Sequence, residues 1–313
     1  MNDAGCVRAA IDAIDNANRA DPTIVTVRRR TGPKEILHAE LVSEWVERLH
    51  PESDDALRIA ARGHHLRRWT SPRANAPAGR AGYLKWRKQL HEQHARELGE
   101  ILRTAGCDAA TIDRVQALVR KDRLGRPDAD PAVQVLEDAL CLVFLETQLL
   151  EVAARLEPEK LSTVVAKTAR KMSADGRAQI AEVPLEPGAR RMLESAMARD
   201  VVERYLKALP AADAAAIAAT LAPDVERIGP YGDVHRGRDA YAAFLAATIS
   251  ALPNYVLAVE RLIADGAVVA VELSETLDFE GRRRHTDETV VFDVAEDLIT
   301  KVAVYLQKSV IQD

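Results

Sequence analysis

Cysteine is scarce in this sequence, with only Cys6, Cys107 and Cys141 among 313 residues. So few and so scattered, the three thiols make neither a disulfide framework nor a cysteine metal cage. All three are expected to be packing residues, most clearly Cys141 within Leu140-Cys141-Leu142-Val143. No window approaches the roughly 18 continuous apolar residues of a membrane helix, and Met1 to Gly5 offers neither a basic n-region nor an apolar h-region. A cytoplasmic protein with no membrane partner is therefore expected. No internal repeat and no low-complexity tract is present beyond the alanine-rich Ala208 to Ala222. Length then sets the domain count: single cores stop growing at roughly 250 to 300 residues, so this chain should hold two domains.

A local absence says more. Residues 56–91 contain nine basic side chains and no acidic one, together with His64, His65, Trp69, Tyr83 and Trp86. The net charge of −5 conceals this, because residues 1–194 carry 31 basic against 29 acidic side chains and residues 195–313 carry 12 against 19. Such a basic block attracts an anionic partner.

Helical spacing dominates up to about residue 194. Val42, Trp45 and Leu49 recur at intervals of three and four with His38 on the same stripe, so that histidine should face inward. Pro51 stops this helix, Ser53 or Asp54 can cap the next, and Leu57, Ala60 and Ala61 lead to His64 and His65. Residues 70–79 are a Pro- and Gly-containing loop. A long helix follows, with His94 between Leu90 and Leu98 and His91 the less buried of its two histidines. The helix expected from Ala132 to Leu156 is the most apolar, yet its stripe of Val135, Leu142, Leu145 and Leu149 includes Asp138. A buried carboxylate costs several kcal/mol when unpaired, and a cation is the usual remedy.

Four helices thus each place a metal-ligand type on a buried face: His38, His64 or His65, His94, and Asp138. Imidazole and carboxylate are the donor set for Zn, Mn or Fe. Taken singly, each histidine is as readily a core side chain bonded to a backbone carbonyl; their recurrence on every helix favours a divalent metal. Within the basic block, Arg62, Arg67, Arg68, Arg73 and Arg87 suit bidentate recognition of a phosphate or carboxylate, and Trp69 or Trp86 suits stacking on a base or sugar. The bland alternative is a solvated basic face. An anionic small molecule is the expected substrate; nucleic acid is a partner the pattern permits without favouring.

The order His38, the Ala60 to His65 block and then Asp138 resembles the HD superfamily of helical metal-dependent phosphohydrolases. More closely, Leu37-His38-Ala39-Glu40, the run Arg58 to Trp69, Tyr83-Leu84-Lys85-Trp86-Arg87 and Leu136-Glu137-Asp138 look like the DUF4202 family over about residues 3–193. His65 stands where HD proteins have an aspartate that bridges two metals. The resemblance therefore implies a single-metal site on His38, His65, His94 and Asp138. His64 would then be an alternative ligand or, with Arg67 and Arg68, a catalytic group facing substrate. A hydrolase is the first reading implied, an iron-dependent oxygenase of the same fold the second, and a ligand-binding or dimerising protein without catalysis the third. Lys171-Met172-Ser173 also resembles a tripeptide of class I aminoacyl-tRNA synthetases, but their parallel nucleotide fold and HIGH motif are missing.

Beyond residue 195 helical patterns give way to four alternating segments between 255 and 306, which predict an α+β domain with a curved antiparallel sheet. Leu221-Ala222-Pro223-Asp224-Val225, Val234 to Ala240 and the closing meander resemble the SnoaL-like branch of the NTF2-like superfamily. That resemblance implies a conical pocket and a homodimer through the open sheet face. Glu275 shares its face with Leu273 and Leu277, and Glu288 sits with Val290 and Phe292. Tyr231, His235, His285, Asp287 and Tyr305 complete the candidate pocket set. The expectation is two domains, an all-α HD-like helical bundle over 1–194 and an α+β NTF2-like cone over 195–313.

Overall fold

The computed structural model describes residues 3–312. They form two compact units, one made of the chain up to Gln148 with Thr168–Pro184, the other of Leu149–Lys167 with everything from Leu185 onward. The second unit reaches further back than residue 195 because Leu149–Lys167 is bonded into it: the Ser162 hydroxyl donates to the Ala196 carbonyl at 2.8 Å, and Arg199 pairs with Glu159.

The helices of the first part of the chain are α1 (Asp3–Asn18), α2 (Lys34–Leu49), α3 (Asp55–Gly63), α4 (Gly79–Thr104), α5 (Ala109–Arg120) and α6 (Pro131–Thr147). Three short ones follow, α7 (Leu149–Ala153), α8 (Pro158–Ala169) and α9 (Ala174–Ala178). On α2 the expected stripe is inside: Leu41, Val42, Trp45 and Val46 are buried. Asp54 sets the start of α3 as predicted, accepting from Leu57 N–H, and Asp108 does the same for α5 by accepting from Thr111 N–H. Ile59, Ala60 and Ala61 pack α3 into the bundle, and Gly63 allows α4 so close that a Cβ there would meet Leu98 at 2.8 Å.

The bundle is not wholly helical. Ile24–Val27 (β1) and Arg30–Pro33 (β2) form an antiparallel hairpin, as their β-branched residues favour. Its turn puts Arg28 and Arg29 at positive φ, and the Arg28 guanidinium is held by Glu44 and Glu146. The long helix expected to reach Leu156 ends at Thr147, where Gln148 leaves helical values (φ −122°, ψ −12°). The cysteine expectation is corrected as well. Cys6 and Cys107 form a disulfide across 101 residues, whereas Cys141 is free and buried as a packing residue. Chain separation hides such a pair from any local reading.

The second unit adds α10 (Pro187–Ala208), α11 (Ala214–Ala218), β3 (Leu221–Ile228), β4 (Val234–Arg236), α12 (Arg238–Ser250), β5 (Val256–Asp265), β6 (Val268–Phe279), β7 (Arg282–Ala295) and β8 (Leu298–Gln312). The strand order is β4-β3-β8-β7-β6-β5. The sheet is mixed instead of purely antiparallel because β3 runs parallel to β8. Val201, Tyr205, Tyr241, Val271 and Phe292 form its core between helices and sheet. No helix among the described residues is long and apolar enough to cross a membrane.

Candidate metal centre and a second cavity

Helix α3 ends at Gly63 and His64 takes its cap position. The chain then turns through Arg67, whose left-handed backbone (φ 50°) is fixed by its N–H donating to Asn18 Oδ1 at 2.9 Å. Asn18 is fully buried. This turn folds His64 and His65 against each other, ring centroids 4.2 Å apart, and presents both to His38 on α2 at 5.1 and 4.8 Å. One nitrogen of each of the three rings lies within 4.8 Å of the other two. His94, on α4, has its ring centroid 5.9 Å from that of His65.

Protonation follows from the bonds. The Ala61 carbonyl only accepts, so His64 Nδ1–H donates to it at 2.8 Å and the Nε2 lone pair stays free. That Nε2 is buried without a hydrogen-bond partner, and so is His38 Nδ1. Burial pushes the His38 imidazolium down to about 4 and His94 to about 3, with the Arg68 charge assisting in both. His64 and His65 are driven well below the usual range by burial and by their neighbouring histidines. Neutral imidazoles with unspent lone pairs are costly to bury and suit a Zn, Mn or Fe ion. His65 Nδ1 lies 3.2 Å from Glu35 Oε2, the carboxylate–histidine arrangement that fixes a ligand's orientation. Glu35 was not among the expected site residues, although it stands one helical turn before His38 on the same face. Burial lifts its carboxyl to about 7, against the opposing charges of Arg68 and Lys34.

Asp138 does not join this group of three. Its carboxylate accepts from Ser173 N–H at 2.9 Å, Ser173 O–H at 2.5 Å and Gln134 Nε2 at 2.8 Å, and Gly176 packs directly on it. The buried carboxylate is satisfied by donors that anchor the start of α9, a remedy that helical periodicity cannot distinguish from a cation.

The arginines also divide. Arg62 is a strut, bonded to Asp15 at 2.6 and 2.7 Å, and Arg67 is exposed and pairs with Glu97 at 3.6 Å. Neither is a free anion clamp. Arg68 differs: it is half-buried, has no carboxylate in salt-bridge range among the described residues, and lies 4.8 Å over the Trp86 ring. Burial lowers its pKa while Glu35 raises it. Arg73 lies 5.8 Å over the same indole, which donates from Nε1 to the Ser71 carbonyl. Arg87 is half-buried and its charge acts on Arg68. Trp86, not Trp69, is thus the ring the arginines cover; Trp69 is half-buried on the turn after Arg68.

In the second unit α10, α12 and the concave sheet face enclose a cavity of about 190 Å³. Its polar lining includes Tyr205, Arg227, Tyr241, Tyr255, Glu275 and Glu288. Tyr255 donates to Glu275 at 2.5 Å, and Tyr205 and Tyr241 share a 2.7 Å hydrogen bond. Strand register selects the members. Leu273 pairs with Glu288 and Glu275 with Thr286, on the inner face. His285 opposes Thr276, Asp287 opposes Ser274 and Tyr305 opposes Thr289, on the outer face. His285, Asp287 and Tyr305 are therefore corrected out of the pocket, the first two bonded to each other at 2.9 Å. Tyr231 is 86% exposed, and His235 stacks on Phe244 at 3.9 Å without lining the cavity itself.

Glu288 titrates abnormally. Burial, then the nearby Glu275, raises its carboxyl from 4.5 to about 7, with Arg227 opposing. An acid whose folded pKa is raised loses stability as pH climbs from its unfolded value, here between about 4.5 and 7. Glu288→Gln should remove that loss, making the variant about 1–2 kcal/mol more stable than wild type at pH 8 after allowance for partial exposure, and no more stable at pH 4. Urea unfolding at the two pH values checks this; parallel pH slopes in both proteins would refute it.

The first unit is thus a helical domain with a buried histidine centre, and the second has the NTF2-like fold. The chain belongs to the DUF4202 family, described as a domain of unknown function, whose model matches residues 8–193. A SnoaL-like domain matches residues 202–302. Similar solved structures include an LEH-like epoxide hydrolase of M. tuberculosis (26% identity, 36% of this chain and 85% of that one, TM-score 0.34). They also include a Kribbella flavida protein described as a "putative ketosteroid isomerase" (25%, 38% and 84%, 0.32) and an NTF2-like protein from Burkholderia xenovorans (21%, 36% and 91%, 0.32). Among curated proteins none matches.

Proposed function

We propose that the DUF4202 domain is a metal-dependent hydrolase acting on a phosphorylated or otherwise anionic small molecule. The observation that supports this is the convergence of His38, His64 and His65, two of whose buried nitrogens have no hydrogen-bond partner among the described residues. In this reading His64 takes the place of ligand that was open to it as an alternative, while His94 stands beside the group and Asp138 is bonded to Ser173. A divalent ion held there would supply Lewis-acid activation of water. Glu35 keeps the His65 ring oriented, Arg68 offers the substrate's anionic group a guanidinium that has no salt-bridge carboxylate among the described residues, and Trp86 backs that guanidinium with its ring face.

A panel of phosphate esters and nucleotides, assayed with Zn-, Mn- and Fe-loaded protein, tests the reading. Arg68→Ala should raise KM about tenfold or more while metal content stays at the wild-type level, as expected for a charge-assisted contact to substrate. Loaded protein that turns over no ester would defeat hydrolysis, and oxygen consumption by the iron form alone would favour an oxygenase instead.

For the second domain, the cavity with its Tyr255–Glu275 pair and Glu288 supports binding of a small, mainly apolar molecule carrying a proton-exchanging group. The outer sheet face, with Val256, Ile263 and Tyr305 exposed, supports homodimerisation.

A further inference from the structure

Helix α1 braces the histidine turn at three points. Asp15 takes both ends of the Arg62 guanidinium just before His64, Asn18 Oδ1 takes the Arg67 N–H just after His65, and fully buried Ile14 packs beside Gly63 between them. The far end of α1 carries Cys6, which is bonded to Cys107 on the turn after α4, the helix that bears His94. One covalent bond therefore closes a frame around the imidazole cluster: α1 at one side, α4 at the other, and the His64–His65 turn hung between them.

We propose that the Cys6–Cys107 disulfide is a redox-sensitive tether for the metal centre, so that its reduction loosens α1 and weakens the hold of the histidine turn on the metal. This rests on the metal reading above. The exchange partner is a dithiol of thioredoxin or dithiothreitol type. Its thiolate attacks Cys107 Sγ, the more accessible sulfur: Cys107 is half-buried between exposed Gly106 and Asp108, whereas Cys6 is 5% exposed. A reductant–Cys107 bond forms, the Cys6–Cys107 bond breaks, and Cys6 leaves as a thiolate that takes up a proton. The second thiol of the reductant then displaces Cys107, leaving two protein thiols and one oxidised dithiol. Free Cys141, buried against Glu137 with its thiol pushed up to about 12, takes no part. The effect reaches the metal through position: Asp15 and Asn18 keep their bonds to the turn only while α1 keeps its place.

Thiol titration of the unfolded, unreduced protein should give one free thiol, and three after reduction; three without reductant overturns the proposal. Amide hydrogen exchange and cobalt titration are then compared among oxidised wild type, Cys6→Ser, Cys107→Ser and Cys141→Ser. Both tether variants should speed exchange at residues 14–18 and 64–68 about tenfold or more, as expected for a local opening made easier. They should also weaken cobalt binding about tenfold, a figure within the range seen when outer-shell support is lost, while Cys141→Ser matches wild type. Unchanged exchange in both tether variants overturns the proposal. So does faster exchange with cobalt affinity equal to wild type. Oxidised wild type that binds no cobalt removes the metal centre itself, and the tether to a metal falls with it, a result distinct from cobalt bound equally by all four proteins.

Discussion

Replacing His64 with alanine is expected to lower affinity for a divalent ion by at least about a hundredfold, since even outer-shell changes at metal sites cost 10- to 100-fold. His64 is well placed for this role. Its Nδ1–H is committed to the Ala61 carbonyl, so the ring cannot rotate without losing that bond, and its Nε2 is buried with no partner among the described residues. The neighbours are equally fixed: His38 by the apolar stripe of α2, His65 by Glu35. Removing one of three imidazoles leaves two, which do not hold an ion in a buried site against water. Cobalt or zinc titration of the variant, with circular dichroism to establish that it is folded, provides the check. Wild-type affinity in folded His64→Ala would take His64 out of the ligand set.

Asp138→Ala should behave in the opposite way, costing stability but leaving the metal. The variant strands the Ser173 amide and hydroxyl and one donor of Gln134, and leaves space beside Gly176. Hydrogen bonds to a charged group contribute about 1.5–3 kcal/mol each, so loss of the two from Ser173 alone should cost about 3–6 kcal/mol, while Gln134 keeps its bond to the Lys171 carbonyl. For a unit of this size that corresponds to a Tm lower by roughly 10 °C or more. Thermal unfolding and metal analysis of one preparation read both effects together. A normal Tm with lost metal would restore Asp138 as a ligand.

The contrast between these two residues shows what the sequence could carry. Period and capping are local, so the α2 stripe, the Asp54 cap and the inward position of His38 and His94 were legible. Burial of Asp138 was legible for the same reason. Its partner was not, because Ser173 lies 35 residues on and any donor at that spot would produce the same pattern. Arg62 failed as an anion clamp likewise: Asp15 lies 47 residues earlier, on another helix. The Cys6–Cys107 pair and the parallel β3–β8 contact are further cases of distance along the chain. In the sheet, alternation correctly grouped Glu275 with Leu273, and the same alternation places His285 and Asp287 on the opposite face; only the register shows which face encloses the cavity. Glu35 was readable in principle, one turn from His38, but a lone acid in a helix's first turn ordinarily signals the helix dipole.

The central claim is that His38, His64 and His65 hold a metal, and metal analysis of the wild-type protein tests it most directly. After equilibration with zinc, manganese or ferrous iron and exhaustive dialysis, the oxidised protein should retain one divalent ion per chain, and the triple His38→Ala, His64→Ala, His65→Ala variant none. Wild type that retains none of the three metals, or a folded triple variant that retains as much as wild type, would contradict it.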